Sequence, residues 1–201
     1  MKCHYDSPHV PGLGKQMVKD RYPILLIIAY VLSRLYWFSR GVRFDDYSNT
    51  SNMHLYAREA MNNNLWETLW YGHVQPPLYS LFLWAVGFNP IIVHICWLLL
   101  GIAAIIALYT LLMSLTKCSS VAFLTALIWT LLPSAILYES TIFYTPAVVC
   151  LLILSVWALQ RNHMVLFSTL VCITILTRSM FHPLAWGLPV LLIGGWRRCR
   201  M

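Results

Sequence analysis

Residues 91–115 read IIVHICWLLLGIAAIIALYTLLMSL, a run without one Asp, Glu, Lys or Arg. An α-helix rises about 1.5 Å per residue, so about 20 such residues cross the hydrocarbon core of a bilayer, which is roughly 30 Å thick. The run is long enough to span and has no charged face to turn toward water. It reads as a helix in lipid.

Shorter runs flank it. Pro23–Phe38 and 77–88 precede, and 120–138, 143–160, 164–177 and 183–196 follow, with polar punctuation between them. The whole chain is 59% hydrophobic and 10% charged with a mean hydropathy of +0.66, whereas a soluble domain carries about 25% charged residues. Too few polar side chains remain to cover a water-facing surface. The expectation is therefore an all-α, polytopic helical membrane protein whose principal partner is the lipid bilayer.

Within it, residues 1–22 form a cytoplasmic N-terminal segment, 23–196 a membrane domain with an external loop at 39–75, and 197–201 a basic cytoplasmic tail. The first 20 residues are polar, include Pro8, Pro11, Gly12 and Gly14, and show no cleavage signature, so Pro23–Phe38 reads as a retained anchor. Arg34 near its far end is placed to snorkel to the interface. In the external loop, Ser51–Asn62 has helical spacing, and Leu65, Trp66, Leu69 and Trp70 make an aromatic amphipathic stretch. Both suit helices lying in the membrane surface.

The net charge of +7 does not indicate a nucleic-acid partner, because the basic residues fall in small groups between apolar runs, as orientation signals do. Cys96, Cys150 and Cys172 lie inside apolar runs, form no metal-ligand spacing, and read as small apolar fillers. Lys15, Lys19 and Arg21 put the N-terminal segment in the cytoplasm and loop 39–75 outside. If 77–88 also crossed, Lys117, Arg161 and the cluster Arg197, Arg198, Arg200 would all lie outside, against the positive-inside rule. The segment is short for a span. If it dips in and returns, all those basic groups become cytoplasmic, and Glu139, Arg178 and His182 join Asp45 and His73 outside.

Those external residues are the candidates for chemistry. Asp45 and Asp46 are adjacent carboxylates just past the first membrane helix, a pair that can hold a divalent cation (Mg or Mn) or accept a proton from an attacking hydroxyl; a capping aspartate in a solvated turn has the same spacing. His73 is held near the interface by Pro76 and Pro77, a position that also suits a structural histidine. Glu139, the one carboxylate after residue 70, is either a helix cap beside Ser140 and Thr141 or a functional intramembrane acid. Arg178, with His182 behind it, suits an external anion gripped by a guanidinium, or an interfacial arginine that snorkels.

Taken in order, Arg43-Phe44-Asp45-Asp46, Ala57-Arg58-Glu59-Ala60, His73-Val74-Gln75-Pro76-Pro77-Leu78-Tyr79, Tyr138-Glu139, Phe143-Tyr144 and Thr177-Arg178-Ser179 with His182 resemble landmarks of the polytopic C-type (GT-C) glycosyltransferases. Closest in pattern is the group similar to protein O-mannosyltransferases and bacterial aminoarabinose transferases. The resemblance implies a GT-C-like N-terminal module that transfers a sugar from a polyprenyl- or dolichyl-phosphate donor to an acceptor on the non-cytoplasmic face. It places the protein in the plasma (inner) membrane of a bacterium or the endoplasmic reticulum membrane of a eukaryote. Asp45 would be the catalytic carboxylate with Asp46 in reserve; His73, Glu139, Tyr144, Arg178 and His182 would bind substrate. Relatives with this fold continue for further helices, so the chain is expected to be an N-terminal fragment. The competing reading is a transporter-like or non-catalytic membrane fragment in which Glu139 and Arg178 line a polar pathway.

Overall fold

The computed structural model describes residues 21–44, 58–71 and 77–178. Most of these residues lie in helices, in the order α1 (Tyr22–Ser39), α2 (Arg58–Asn63), α3 (Leu65–Tyr71), α4 (Pro77–Ala85), α5 (Pro90–Thr116), α6 (Ser119–Leu131), α7 (Pro133–Glu139), α8 (Thr145–Gln160) and α9 (Met164–Thr177). By length and composition, α1 and α5 can each cross a membrane, and α6 with α7 makes a third span if the bent pair is one. Helices α8 and α9 are apolar but shorter. The N-terminal 20 residues, the acidic pair, His73 and the run 183–196 lie outside the described residues.

Local chemistry sets most helix ends. α5 begins where Asn89 accepts from the N–H groups of Ile91 and Ile92 and Pro90 occupies the first turn, an N-terminal arrangement that needs no further acceptor. It ends at Lys117, whose left-handed backbone (φ 55°) directs its N–H to the carbonyl of Met113. The run 120–138, which hydropathy treats as continuous, is interrupted. Pro133 supplies no N–H, the chain leaves helical geometry at Leu132, and α7 is bent 54° from α6.

The helices pack with α5 at the centre, touching α1, α6 and α8; α6 also lies along α1, α9 along α8, and α4 against α9. Side-chain bonds fix the directions. The Tyr22 hydroxyl meets Ser120 Oγ at 3.4 Å, while Arg34, three turns further along α1, reaches the carbonyl of Thr130 at 2.6 Å. Helices α1 and α6 therefore run the same way. At the Tyr22 end, Gln160 at the close of α8 bonds Ser114 near the close of α5, so Arg21, Lys117 and Arg161 share one end of the bundle.

At the other end, one buried cluster joins Met61 of α2, Tyr79 and Leu83 of α4, Val93 and Trp97 of α5, and Ile142 and Ala147 around the start of α8. Leu65 and Leu69 of α3 pack onto it while Trp66 is 79% exposed. The aromatic amphipathic stretch is thus a short helix with its leucines inward and a tryptophan outward. A second cluster, Leu26 and Tyr30 with Ile105, Tyr109, Ala122 and Ala126, fastens α1 to α5 and α6. The small residues on α6 let α1 approach closely, as small residues do between helices in lipid. Along α1 the opposite face, including Ile24, Leu32 and Leu35, is exposed.

Candidate functional site

Glu139 is 5% exposed at the last position of α7. Its carboxylate is surrounded by donors. Arg34 gives Nε to Oε2 and Nη2 to Oε1, both at 2.8 Å, and the Tyr30 hydroxyl gives a third bond to Oε2 at 3.0 Å. The guanidinium also lies 3.9 Å from the centroid of the Tyr30 ring and donates Nη1 to the Thr130 carbonyl. A two-pronged arginine–carboxylate pair is the strongest geometry available to these groups. Arg34 therefore turns inward to an acid on another helix instead of snorkelling to the interface.

The sequence explains each part of this arrangement. Tyr30 and Arg34 are one helical turn apart on α1, so they share a face. Thr130 sits just before the break at Leu132; its carbonyl would accept from the N–H of Ser134 in a continuous helix, and with the helix broken between them it accepts from Arg34 instead. Gly101 of α5 makes room: a Cβ there would overlap the Tyr30 hydroxyl, lying 2.9 Å from Tyr30 Cζ and 3.2 Å from Glu139 Oε1. Tyr30, Gly101 and Thr130 were not among the residues expected at the site. The available signal was arithmetic: a lone basic residue in the first apolar run and a lone acid in the last two thirds of the chain.

The other described candidates lie at the same end of the bundle. Tyr144 precedes α8, with its ring edge-on to Tyr79 (6.0 Å between centroids, 76°) and stacked on Phe143 (4.3 Å, 27°). Trp97 donates its indole N–H to the Thr141 carbonyl at 3.3 Å, tying the 140–144 turn to α5. Arg178 closes α9, its N–H bonded to the Thr174 carbonyl. Because α8 and α9 are antiparallel neighbours and α9 packs on α4, that terminus belongs to the Glu139 end.

Asp45, Asp46, His73 and His182 lie outside the described residues, as do the ligands expected for a divalent cation. Among the described residues no three His, Cys, Asp or Glu side chains cluster as a metal site. Of the described cysteines, Cys150 is buried, Cys96 and Cys172 are partly so and Cys118 is exposed, each as a free thiol. The chain preceding Asp45 is nonetheless anchored. Arg43 lies over the Phe38 ring at 3.8 Å and bonds the Phe38 carbonyl, and the Phe44 ring stacks on His94 of α5 at 4.9 Å and 25°.

Compared with known proteins, the chain matches no family model, no curated protein and no solved structure.

Proposed function

We propose that the chain is a multi-pass membrane module of a GT-C-like glycosyltransferase, which uses a polyprenyl- or dolichyl-phosphate sugar as donor. The observation that carries this reading is a single end of the bundle. Phe44, which abuts Asp45, Pro77, which closes the His73 motif, and Glu139, Tyr144 and Arg178 all belong to it, while Arg21, Lys117 and Arg161 belong to the other. A cytoplasmic basic end and an external end bearing the candidate residues agree with the positive-inside rule. The nine-residue α4 fits a segment that enters and returns, since about 20 residues are needed to cross.

In the reaction the acceptor hydroxyl oxygen bonds to the anomeric carbon as the bond from that carbon to the phosphate oxygen breaks. Asp45 takes the hydroxyl proton; were a divalent cation bound instead, Asp45 and Asp46 would hold it and it would supply charge to position the acceptor hydroxyl. The bond electrons leave on the phosphate, and Arg178 is the donor proposed to stabilise that charge. Glu139 is assigned a different task from the one the resemblance gave it: already bonded to Arg34 and Tyr30, it holds α7 and the turn leading to Tyr144 in place. A polar pathway through the bundle draws no comparable support, because Glu139 is paired with Arg34 in the packed interior.

The test uses membranes carrying the protein, supplied with polyprenyl-phosphate mannose, glucose or aminoarabinose and assayed for release of polyprenyl phosphate. Asp45→Asn is expected to abolish release without altering protein abundance. Undiminished release by that variant removes Asp45 from the chemistry and, with it, the assignment.

A further inference from the structure

We propose that Tyr79 and Ser80, at the start of α4, hydrogen-bond the sugar of the lipid-linked donor, an inference that rests on the transferase reading. Both hydroxyl oxygens are buried, in residues 2% and 1% exposed, and neither has a hydrogen-bond partner. Such groups are rare, because a buried hydroxyl left unpaired costs more than a paired one returns. Other hydroxyls show how readily the fold supplies a partner. Thr130, Ser155, Thr174 and Thr177 are buried too, and each donates to a carbonyl one turn back in its own helix. Ser80 does not. Ser33 of α1 shares the lack, but it stands alone, whereas Tyr79 and Ser80 are consecutive.

The surroundings of Tyr79 suit a sugar ring. Its own ring lies nearly parallel to that of Trp97 (6.0 Å between centroids, 18°) and edge-on to Tyr144, and Phe82 faces Trp97 at 5.7 Å and 28°. The Trp97 N–H is already given to the Thr141 carbonyl, so the indole has no donor left for the Tyr79 oxygen. Aromatic walls with a few placed polar groups are the usual lining of a small-molecule site. A sugar presents both the C–H face and the hydroxyl rim that such a lining matches, whereas a hydrocarbon tail would leave both hydroxyls unpaired. Position agrees. α4 packs on α9, which Arg178 closes, so a donor whose phosphate meets Arg178 has its sugar beside the first turn of α4. Both hydroxyls are covered, and admission requires movement; α4 lies against α9 and α2 but meets α5 through rings, so the displacement falls on side chains.

The alternative is that the two hydroxyls serve the fold alone. The readings differ in the sign of a stability change. A buried hydroxyl kept for a ligand is a liability to the empty protein. Tyr79→Phe and Ser80→Ala each remove one oxygen, and each should leave the melting temperature unchanged or raise it by about 2–4 °C. A hydroxyl that served the fold would cost stability when removed.

The experiment uses the full chain in lipid nanodiscs and pairs thermal unfolding with native mass spectrometry of bound lipid. The probes are farnesyl-length polyprenyl phosphates carrying mannose, glucose or aminoarabinose, and the same polyprenyl phosphate without a sugar. The wild type is expected to bind at least one sugar-bearing lipid more tightly than the bare phosphate. Tyr79→Phe and Ser80→Ala should each weaken that binding by about tenfold, the loss of one hydrogen bond, and leave binding of the bare phosphate unchanged. Three results overturn the inference and leave the transferase reading intact: sugar-lipid binding equal to wild type, an equal loss for the bare phosphate, or a fall in melting temperature. Any of them in one variant alone removes that residue from the site. No preference of the wild type for a sugar-bearing lipid overturns the reading of a sugar-phosphate donor, and this inference with it.

Discussion

Replacing Arg34 by Met removes three donated hydrogen bonds, two to Glu139 and one to the Thr130 carbonyl, while keeping a side chain of similar length. The pair is largely out of solvent, with the Arg34 and Glu139 side chains 11% and 6% exposed. Glu139 would retain only the Tyr30 hydroxyl. Breaking a buried pair by removing one partner costs about 3–5 kcal/mol, or two to three and a half powers of ten in the folded-to-unfolded ratio at about 1.4 kcal/mol per tenfold. Glu139→Leu alone strands the guanidinium and is expected to cost a similar amount. The double variant Arg34→Met/Glu139→Leu leaves no unpaired charge and should return to within about 2 kcal/mol of wild type, since buried pairs replaced by apolar groups are often near neutral. Equilibrium unfolding in mixed micelles, titrated with a denaturing detergent, measures all four corners of this cycle. Single variants that each cost less than about 1 kcal/mol and add in the double would mean that the pair is solvated and does not hold α1 to α7.

Two further outcomes follow from the same geometry. Gly101→Ala should destabilise the protein by about 1–3 kcal/mol through overpacking, and by less in a Tyr30→Phe background, where the overlapping hydroxyl is gone; strictly additive losses in thermal unfolding would show that this hydroxyl is not the obstacle. Single cysteines replacing Asp46 and Lys117, in a chain cleared of its own cysteines, should react with a membrane-impermeant reagent from opposite sides of the bilayer, and labelling of both from one side would remove the shared external face on which the transferase reading depends.

Much of the helical layout is legible because hydropathy alone marks long apolar runs. The run 91–115 is extended by one residue at each end, where Asn89 and Pro90 open the helix and Lys117 closes it. The run 120–138 was less legible as a single element, since Pro133 interrupts it without lowering its average hydropathy. The amphipathic stretch at 65–70 keeps its inward leucines as a helix, while the helical spacing read from Ser51 lies partly outside the described residues, which begin again at Arg58. Side-chain partnership was the hardest to read. Arg34 and Glu139 are 105 positions apart, and nothing local to either names the other; only the high cost of an isolated charge in an apolar medium requires that each find a partner. Ser80 escaped notice for the opposite reason, because one hydroxyl in an apolar run leaves its hydropathy almost unchanged.

The break at Leu132 and the buried pair are best understood as one construction. A continuous helix from Ser119 to Glu139 would carry Glu139 straight on past Arg34, with the Thr130 carbonyl bonded within its own helix. The 54° bend instead frees that carbonyl, turns α7 toward α1 and α5, and brings the carboxylate under the guanidinium. Each half then stabilises the other: the bend creates a backbone acceptor that Arg34 satisfies, and the pair holds the bend against straightening. Lysine, a single ammonium on a flexible stem, lacks the planar fork needed to serve the carboxylate and the carbonyl together. The construction also couples the two chain segments that lead to the candidate site, since α1 feeds the anchored stretch Arg43-Phe44 and α7 feeds the turn held by Trp97. A side chain five residues before the end of α1 thus governs how both segments meet, although it is itself withdrawn from the surface where substrate would bind.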